Sequence, residues 1–170
     1  MNDFSQAVLG ETDQLIDLHT SEENREIALA MARQCDRSII IASHSLDPLI
    51  YDHEEFVAVV KAMVLASRYA KVRILLHEPE TTLRHGHRLL ELALKLSSFF
   101  EIRVPHPQHQ DFNEAWFIAD ATGYIRRQFA NRYEGKANFA GAAGARLLLQ
   151  QFDLMWELAR PDPNLRRLHL

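Results

Sequence analysis

Two short aliphatic runs constrain this chain more than any other feature. Ser38-Ile39-Ile40-Ile41-Ala42-Ser43 and Val72-Arg73-Ile74-Leu75-Leu76 read as strands buried on both sheet faces, because a half-exposed strand would alternate apolar with polar residues. Each follows a stretch of helical periodicity: Ile27, Met31 and Cys35 before the first, Phe56, Val59, Val60, Met63 and Val64 before the second. Strands joined through helices lie parallel, with the helices on the sheet faces. Thr20 and Glu23 have the spacing of a capping box, so the first helix is expected to open there and to end near Asp36.

Ser43 to His53, interrupted by Pro48, is expected to be a loop, and the second helix to run to about Tyr69. Thr81 or Thr82 is expected to cap a helix whose apolar face carries Leu89, Leu90, Ala93, Leu94 and Leu96. Glu101 to Val104 predicts a third strand and Pro105 to Asp111 a loop. Trp116 to Ala119 and Gly123 to Gln128 predict a hairpin, which makes the sheet mixed. The glycine-rich segment Asn131 to Gly144 reads as a loop leading into a last helix with Leu148, Phe152, Met155 and Trp156. Residues 1–20 read as a frayed arm or short docking helix, 21–160 as the domain, and 161–170 as a loose polar tail. The expected fold class is α/β, one domain with a mixed sheet flanked by helices. A dinucleotide-binding layout would need a glycine-rich turn after the first strand, and Ser43-His44-Ser45-Leu46-Asp47 has no glycine.

Composition narrows the function classes. A net charge of -4 disfavours a dedicated nucleic-acid binder. A single cysteine, Cys35, excludes an internal disulfide framework and a cysteine-rich metal cluster, and fits a reducing compartment. There is no run of apolar residues of spanning length, and the amino terminus lacks the basic-then-apolar pattern of a secretory signal. The expectation is a cytoplasmic protein with no membrane span.

The hairpin carries the sharpest signal: Asn113-Glu114-Ala115-Trp116-Phe117-Ile118-Ala119-Asp120, then Ala121-Thr122-Gly123-Tyr124-Ile125-Arg126-Arg127. Together with the two strands, their leading helices and the late helix with Phe152 and Trp156, it resembles one half of a phospholipase-D-like domain. The resemblance runs from about Glu22 to Arg160 and looks closest to short bacterial members that have lost the family motif. That motif is His-x-Lys-x-x-x-x-Asp. Here Asp120 stands at the aspartate place, but Ala115 and Asn113 stand at the lysine and histidine places, and the family's later Gly-Ser step reads Arg127-Gln128.

The resemblance implies a homodimer with the two degraded sites facing each other. In the family, two half-domains share a site where one histidine attacks phosphorus and the other protonates the leaving oxygen. Asn113 cannot form a phospho-imidazole or shuttle a proton, and Ala115 brings no charge to a phosphate. The expectation is therefore a pseudoenzyme without catalytic residues: a binding or interaction module for a phosphate-bearing ligand or a partner protein. Its candidate ligand residues are Asn113, Asp120, Arg126, Arg127, Arg132 and Tyr133. No cofactor and no metal are expected.

Each candidate has a plainer reading. Asp120 would bond the amides of its own turn, Ala121-Thr122-Gly123. Strand alternation sends Arg126 and Arg127 to opposite faces, and these arginines would pair with acids such as Glu114 and Glu134. His85 and His87 are two apart on a predicted helix and so point apart, while His106, His109 and Asp111 share a loop. His44, His106 or His109 would carry the alternative function, a divergent homodimeric phosphodiesterase or nuclease with a rearranged histidine set. Ser43, His44, Ser45 and Asp47 include the residue types of a hydrolytic triad but lack the Gly-x-Ser-x-Gly elbow. Cys35, on an apolar stripe, reads as core.

Overall fold

The computed structural model describes residues 4–166, with only the backbone at the last of these. The element order is β1 (Ile16–Leu18), α1 (Ser21–Gln34), β2 (Ser38–Ser43), α2 (Pro48–Tyr51), α3 (Glu54–Ala66), β3 (Lys71–Leu76), α4 (Pro79–His85) and α5 (Arg88–Lys95). Then come β4 (Phe100–Arg103), a 3-10 turn (Pro107–His109), β5 (Ala115–Ala119), β6 (Gly123–Arg127), β7 (Gly135–Asn138), α6 (Ala142–Leu158) and α7 (Pro163–Arg166). The strands form one sheet in the order β1-β7-β6-β5-β2-β3-β4. β2, β3 and β4 run parallel, and the remaining pairs are antiparallel. The fold is thus α/β with a mixed sheet, as its strand pattern predicts.

The sheet has two buried faces. Ile39, Ile41, Ile74, Leu76, Phe117 and Ile125 join the core built by α1, α3 and α5 on one side. Ile40, Ala42, Leu75, Trp116 and Ile118 lie under α6, which brings Ala145, Leu148, Phe152, Met155 and Trp156. This double cover explains why β2 and β5 read as continuous apolar runs. α1 opens as its capping residues predict: the Glu23 amide donates to Thr20 Oγ1 at 3.1 Å. The Glu23 carboxylate closes the box one residue early, accepting from the His19 amide at 3.2 Å. Among the described residues no helix is long and apolar enough to cross a membrane.

Several expectations need correction. Residues 16–18 are neither a frayed arm nor a docking helix but the edge strand β1, paired with β7. β7 lies inside the segment expected to be loop, and Pro48–Tyr51 forms a short helix within another such segment. The Thr81/Thr82 cap is not used. α4 starts after Glu78 with Pro79, and the Thr82 hydroxyl donates to the Ser45 carbonyl at 2.9 Å. Gly86, with φ of 73°, separates His85 from His87, so the two do not share a helix. Just before the expected tail Arg160 bridges Val104, and within the tail Leu165 is buried; residues 167–170 lie outside the described residues.

Candidate functional site

β5 positions the candidate residues. Its antiparallel register with β6 sets Ala115 opposite Arg127 and Trp116 opposite Arg126. Alternation then sends Arg127 to the α1/α3 side and Arg126 to the other. The Arg127 side chain is almost wholly buried. Its guanidinium donates to the Arg132 carbonyl at 2.9 Å and reaches the Asp47 carboxylate at 3.5 Å. It also lies 5.4 Å from the centre of the Tyr133 ring. The Tyr133 hydroxyl donates to the same carboxylate at 3.3 Å. Burial, and then the charge of Asp47, hold the Tyr133 pKa above its ordinary value. Asp47 is itself placed by α2, whose first turn it caps by accepting from the Leu49 amide at 3.2 Å.

Arg126 is bonded across the hairpin entry. Its Nε donates to Glu114 Oε1 at 2.7 Å, and that same oxygen accepts from Trp116 Nε1 at 3.1 Å. Burial works against the Glu114 charge, but these bonds outweigh it and lower the pKa. Arg132 differs from the other two arginines. Its guanidinium rests 5.1 Å over the half-exposed Phe129 ring and has no ion-pair partner among the described residues. Arg132 and Phe129 line a cleft of about 500 Å³ with Leu15, Tyr124, Arg126 and Lys136. Lys136 is itself paired with Asp17, and Glu134 adds a carboxylate to the cleft wall.

Asn113 and Asp120 are not brought together. Asn113 precedes β5, where its carbonyl accepts from the Ala130 amide at 2.8 Å, whereas Asp120 follows the strand's far end. Seven residue steps, most of them along β5, separate the two, about 20 Å. Asp120 Oδ2 accepts from the Asp36 amide at 2.9 Å, and Oδ1 from the amides of Arg37 at 2.8 Å and Ser38 at 3.0 Å. Cys35 Sγ donates to Oδ1 as well, at 3.1 Å. The plain reading is right in kind but not in place. Asp120 holds the α1–β2 connection rather than its own turn. Burial, and next the neighbouring carboxylate, push the Cys35 thiol far above its usual range.

A histidine column lies on the other sheet face. The parallel register pairs Ser43 with Leu76, so the next residues, His44 and His77, leave adjacent strands together. Their rings stack at 4.5 Å and 6°. Phe112 stacks on His77 at 5.6 Å and meets Trp116 edge-on at 4.9 Å. His44 Nε2 donates to the Phe112 carbonyl at 3.1 Å. Neither ring nitrogen of His77 makes a well-formed hydrogen bond among the described residues, nor does His109 Nδ1. Burial, and then His44, lower the His77 pKa to about 4. Because the column joins Trp116, it stands on the face opposite Ala115 and Arg127. His44 therefore does not reach the Ala115 and Arg127 side of the sheet.

Two other histidines, His106 and His87, hold local structure. His106 caps the 3-10 turn by accepting from the Gln108 amide at 3.0 Å. His87 accepts from the Leu89 amide at 3.1 Å and donates to the Leu46 carbonyl at 2.7 Å, which fixes one neutral tautomer. No group of three His, Cys, Asp or Glu among the described residues converges as a metal site. The triad residue types do not assemble either: Ser43 Oγ accepts from the Leu46 amide at 3.0 Å, and Asp47 serves Arg127 and Tyr133. Sequence reasoning missed His77 and the role of Asp47. The first was visible as a second histidine directly after a second buried strand.

The fold is similar to solved structures at low identity. TrmBL2, described as an archaeal chromatin protein with a novel mode of DNA binding, is 16% identical with a TM-score of 0.62, over 87% of this chain and 54% of that one. The chain thus spans about half the length of TrmBL2. Nuc from Salmonella typhimurium, a phospholipase D family member, is 14% identical with a TM-score of 0.58, over 86% of this chain and 97% of that one. NucT from Helicobacter pylori is 13% identical with a TM-score of 0.57, over 88% of this chain and 100% of that one. These likenesses establish a phospholipase-D-like fold. No curated protein matches the chain. A family model matches residues 20–168, and the chain accordingly belongs to the family described as Domain of unknown function (DUF7931).

Proposed function

We propose that the protein is a non-catalytic phospholipase-D-like module that binds a phosphate-bearing ligand and acts as a homodimer. One observation carries the reading. Opposite Ala115, at the family's lysine place, the buried Arg127 cation is committed to the internal Asp47 carboxylate. A carboxylate thus holds the cation that a substrate phosphate would need, and Asn113 offers no imidazole for attack. Among the described residues of the cleft, the cation left for a guest is Arg132, which forms one wall beside Phe129. Arg132 and Arg126 are retained as ligand candidates, Arg126 shared with Glu114; Arg127, Tyr133 and Asp120 serve the scaffold in this reading.

The test is thermal melting with added pyrophosphate, alongside hydrolysis of a chromogenic phosphodiester. The reading expects a ligand-dependent rise in Tm that Arg132→Ala removes, and no turnover. An equal rise in Arg132→Ala moves the ligand elsewhere.

The stacked His44 and His77 favour a second reading, a divergent phosphodiesterase working from the α6 face with a neutral imidazole as base. Turnover abolished by His77→Ala or His44→Ala, with folding intact, would establish it and end the first.

A further inference from the structure

We infer that the outer face of α6 is a homodimer contact, packed antiparallel against α6 of a second copy of this chain. The inference rests on the homodimer reading above and names its surface; because α6 covers the sheet face opposite Ala115 and Arg127, this contact does not set the two degraded sites against each other.

α6 buries Ala145, Leu148, Phe152, Met155 and Trp156 against the sheet. On its opposite side Leu147, Leu154 and Leu158 remain 61%, 66% and 44% exposed. Their spacing of seven and then four residues keeps them on one stripe of the helix. Between them lie the uncharged Gln150 and Gln151. A surface stripe of leucines on an otherwise well-packed helix leaves apolar area in water that a partner would remove.

The charges beside the stripe select the partner. Arg146 sits in the N-terminal part of α6 and Glu157 in its last turn, eleven residues apart. Three helical turns separate them, so they share one flank. Neither has an ion pair among the described residues, whereas Asp153 on the same helix is bonded to Arg73. Both stand against the helix field, which favours anions near the N-terminus and cations near the C-terminus. A parallel partner would bring like charges together. An antiparallel copy related by a two-fold axis brings Arg146 beside the partner's Glu157 and Glu157 beside the partner's Arg146. Each charge then also meets the favourable end of the other helix. A pattern of cation, leucine seam and anion that completes itself on reversal is the signature of an isologous contact.

Sedimentation velocity on the full chain across a concentration series tests this. The wild type should show a monomer–dimer equilibrium. Leu154→Glu should weaken it by about tenfold or more, with circular dichroism unchanged and Tm equal to that of the wild type at concentrations where both are monomeric, because the residue is exposed there. Arg146→Glu and Glu157→Arg should each weaken association, and the double exchange Arg146→Glu/Glu157→Arg should restore it. A wild type that stays monomeric at every concentration removes both the homodimer reading and this surface. A dimer that persists in Leu154→Glu removes the surface alone. A double exchange that fails to restore association overturns the antiparallel arrangement.

Discussion

The Arg127 guanidinium lies 3.5 Å from the Asp47 carboxylate, with both side chains withdrawn from water, at 4% and 16% exposure. Removing one member of such a pair strands a charge in a poorly solvated place. Asp47→Ala should destabilise the fold by about 3 kcal/mol, read from urea unfolding. It should also leave Arg127 unneutralised, so phosphate should raise the Tm of the variant more than that of the wild type. An Asp47→Ala protein as stable as wild type would show that the pair contributes little.

Asp120 gathers three amides and a thiol from the α1–β2 connection. Burial raises its pKa, but the Asp36 amide, the Cys35 thiol and the Ser38 and Arg37 amides outweigh that and lower it. A lowered folded pKa means that the stabilisation is complete above the unfolded value of about 3.9 and fades as pH falls through the folded value. Asp120→Asn should cost about 2 kcal/mol at neutral pH and flatten stability below about pH 4. Denaturant midpoints measured from pH 7 down to pH 2 check both.

His77 should make stability depend on mildly acidic pH. Its folded pKa, about 4, lies below the ordinary histidine value, so the unfolded chain takes up the proton first. Stability should fall as pH drops from about 6.5 to about 4. His87, lowered chiefly by burial, acts in the same sense. His77→Phe keeps a ring in the stack and should make the decline shallower without abolishing it. An unchanged slope would mean that His77 is no more difficult to protonate in the fold than outside it.

Asp120 and Ala121 both adopt left-handed backbone, with φ of 51° and 57°. Alanine has no side-chain bond to offset that conformation. Ala121→Gly should therefore raise stability by about 1 kcal/mol, seen as a higher denaturant midpoint with unchanged slope.

The parts of this fold that could be read from sequence are those whose signal is local. β2, β3, α1 and the β5–β6 hairpin announce themselves through apolar runs, caps and turn residues close together in the chain. β1 and β7 do not. Gly135-Lys136-Ala137-Asn138 has little intrinsic strand preference. It is a strand because Gly135 lets the chain pass so close to the Arg126 carbonyl that a Cβ there would sit 2.6 Å from it. The candidate site divides the same way. The opposite facing of Arg126 and Arg127 follows from alternation alone, and the Glu114 partner lies within reach along the hairpin. Asp47 as the partner of Arg127 joins residues 80 positions apart, and Asp120 reaches amides more than 80 positions away. Only strand register places those groups together.

The pairing of β1 with β7 bears on how far the chain can be shortened. On that flank Gly135 to Ala137 pair with Ile16 to Leu18, and the Asn138 side chain bonds Asp13 and the Gln14 amide. A protein trimmed to begin at Ser21 would present an open row of amides and carbonyls. Such a rim recruits strands from other molecules, so trimming would lead to self-association through backbone bonding and precipitation.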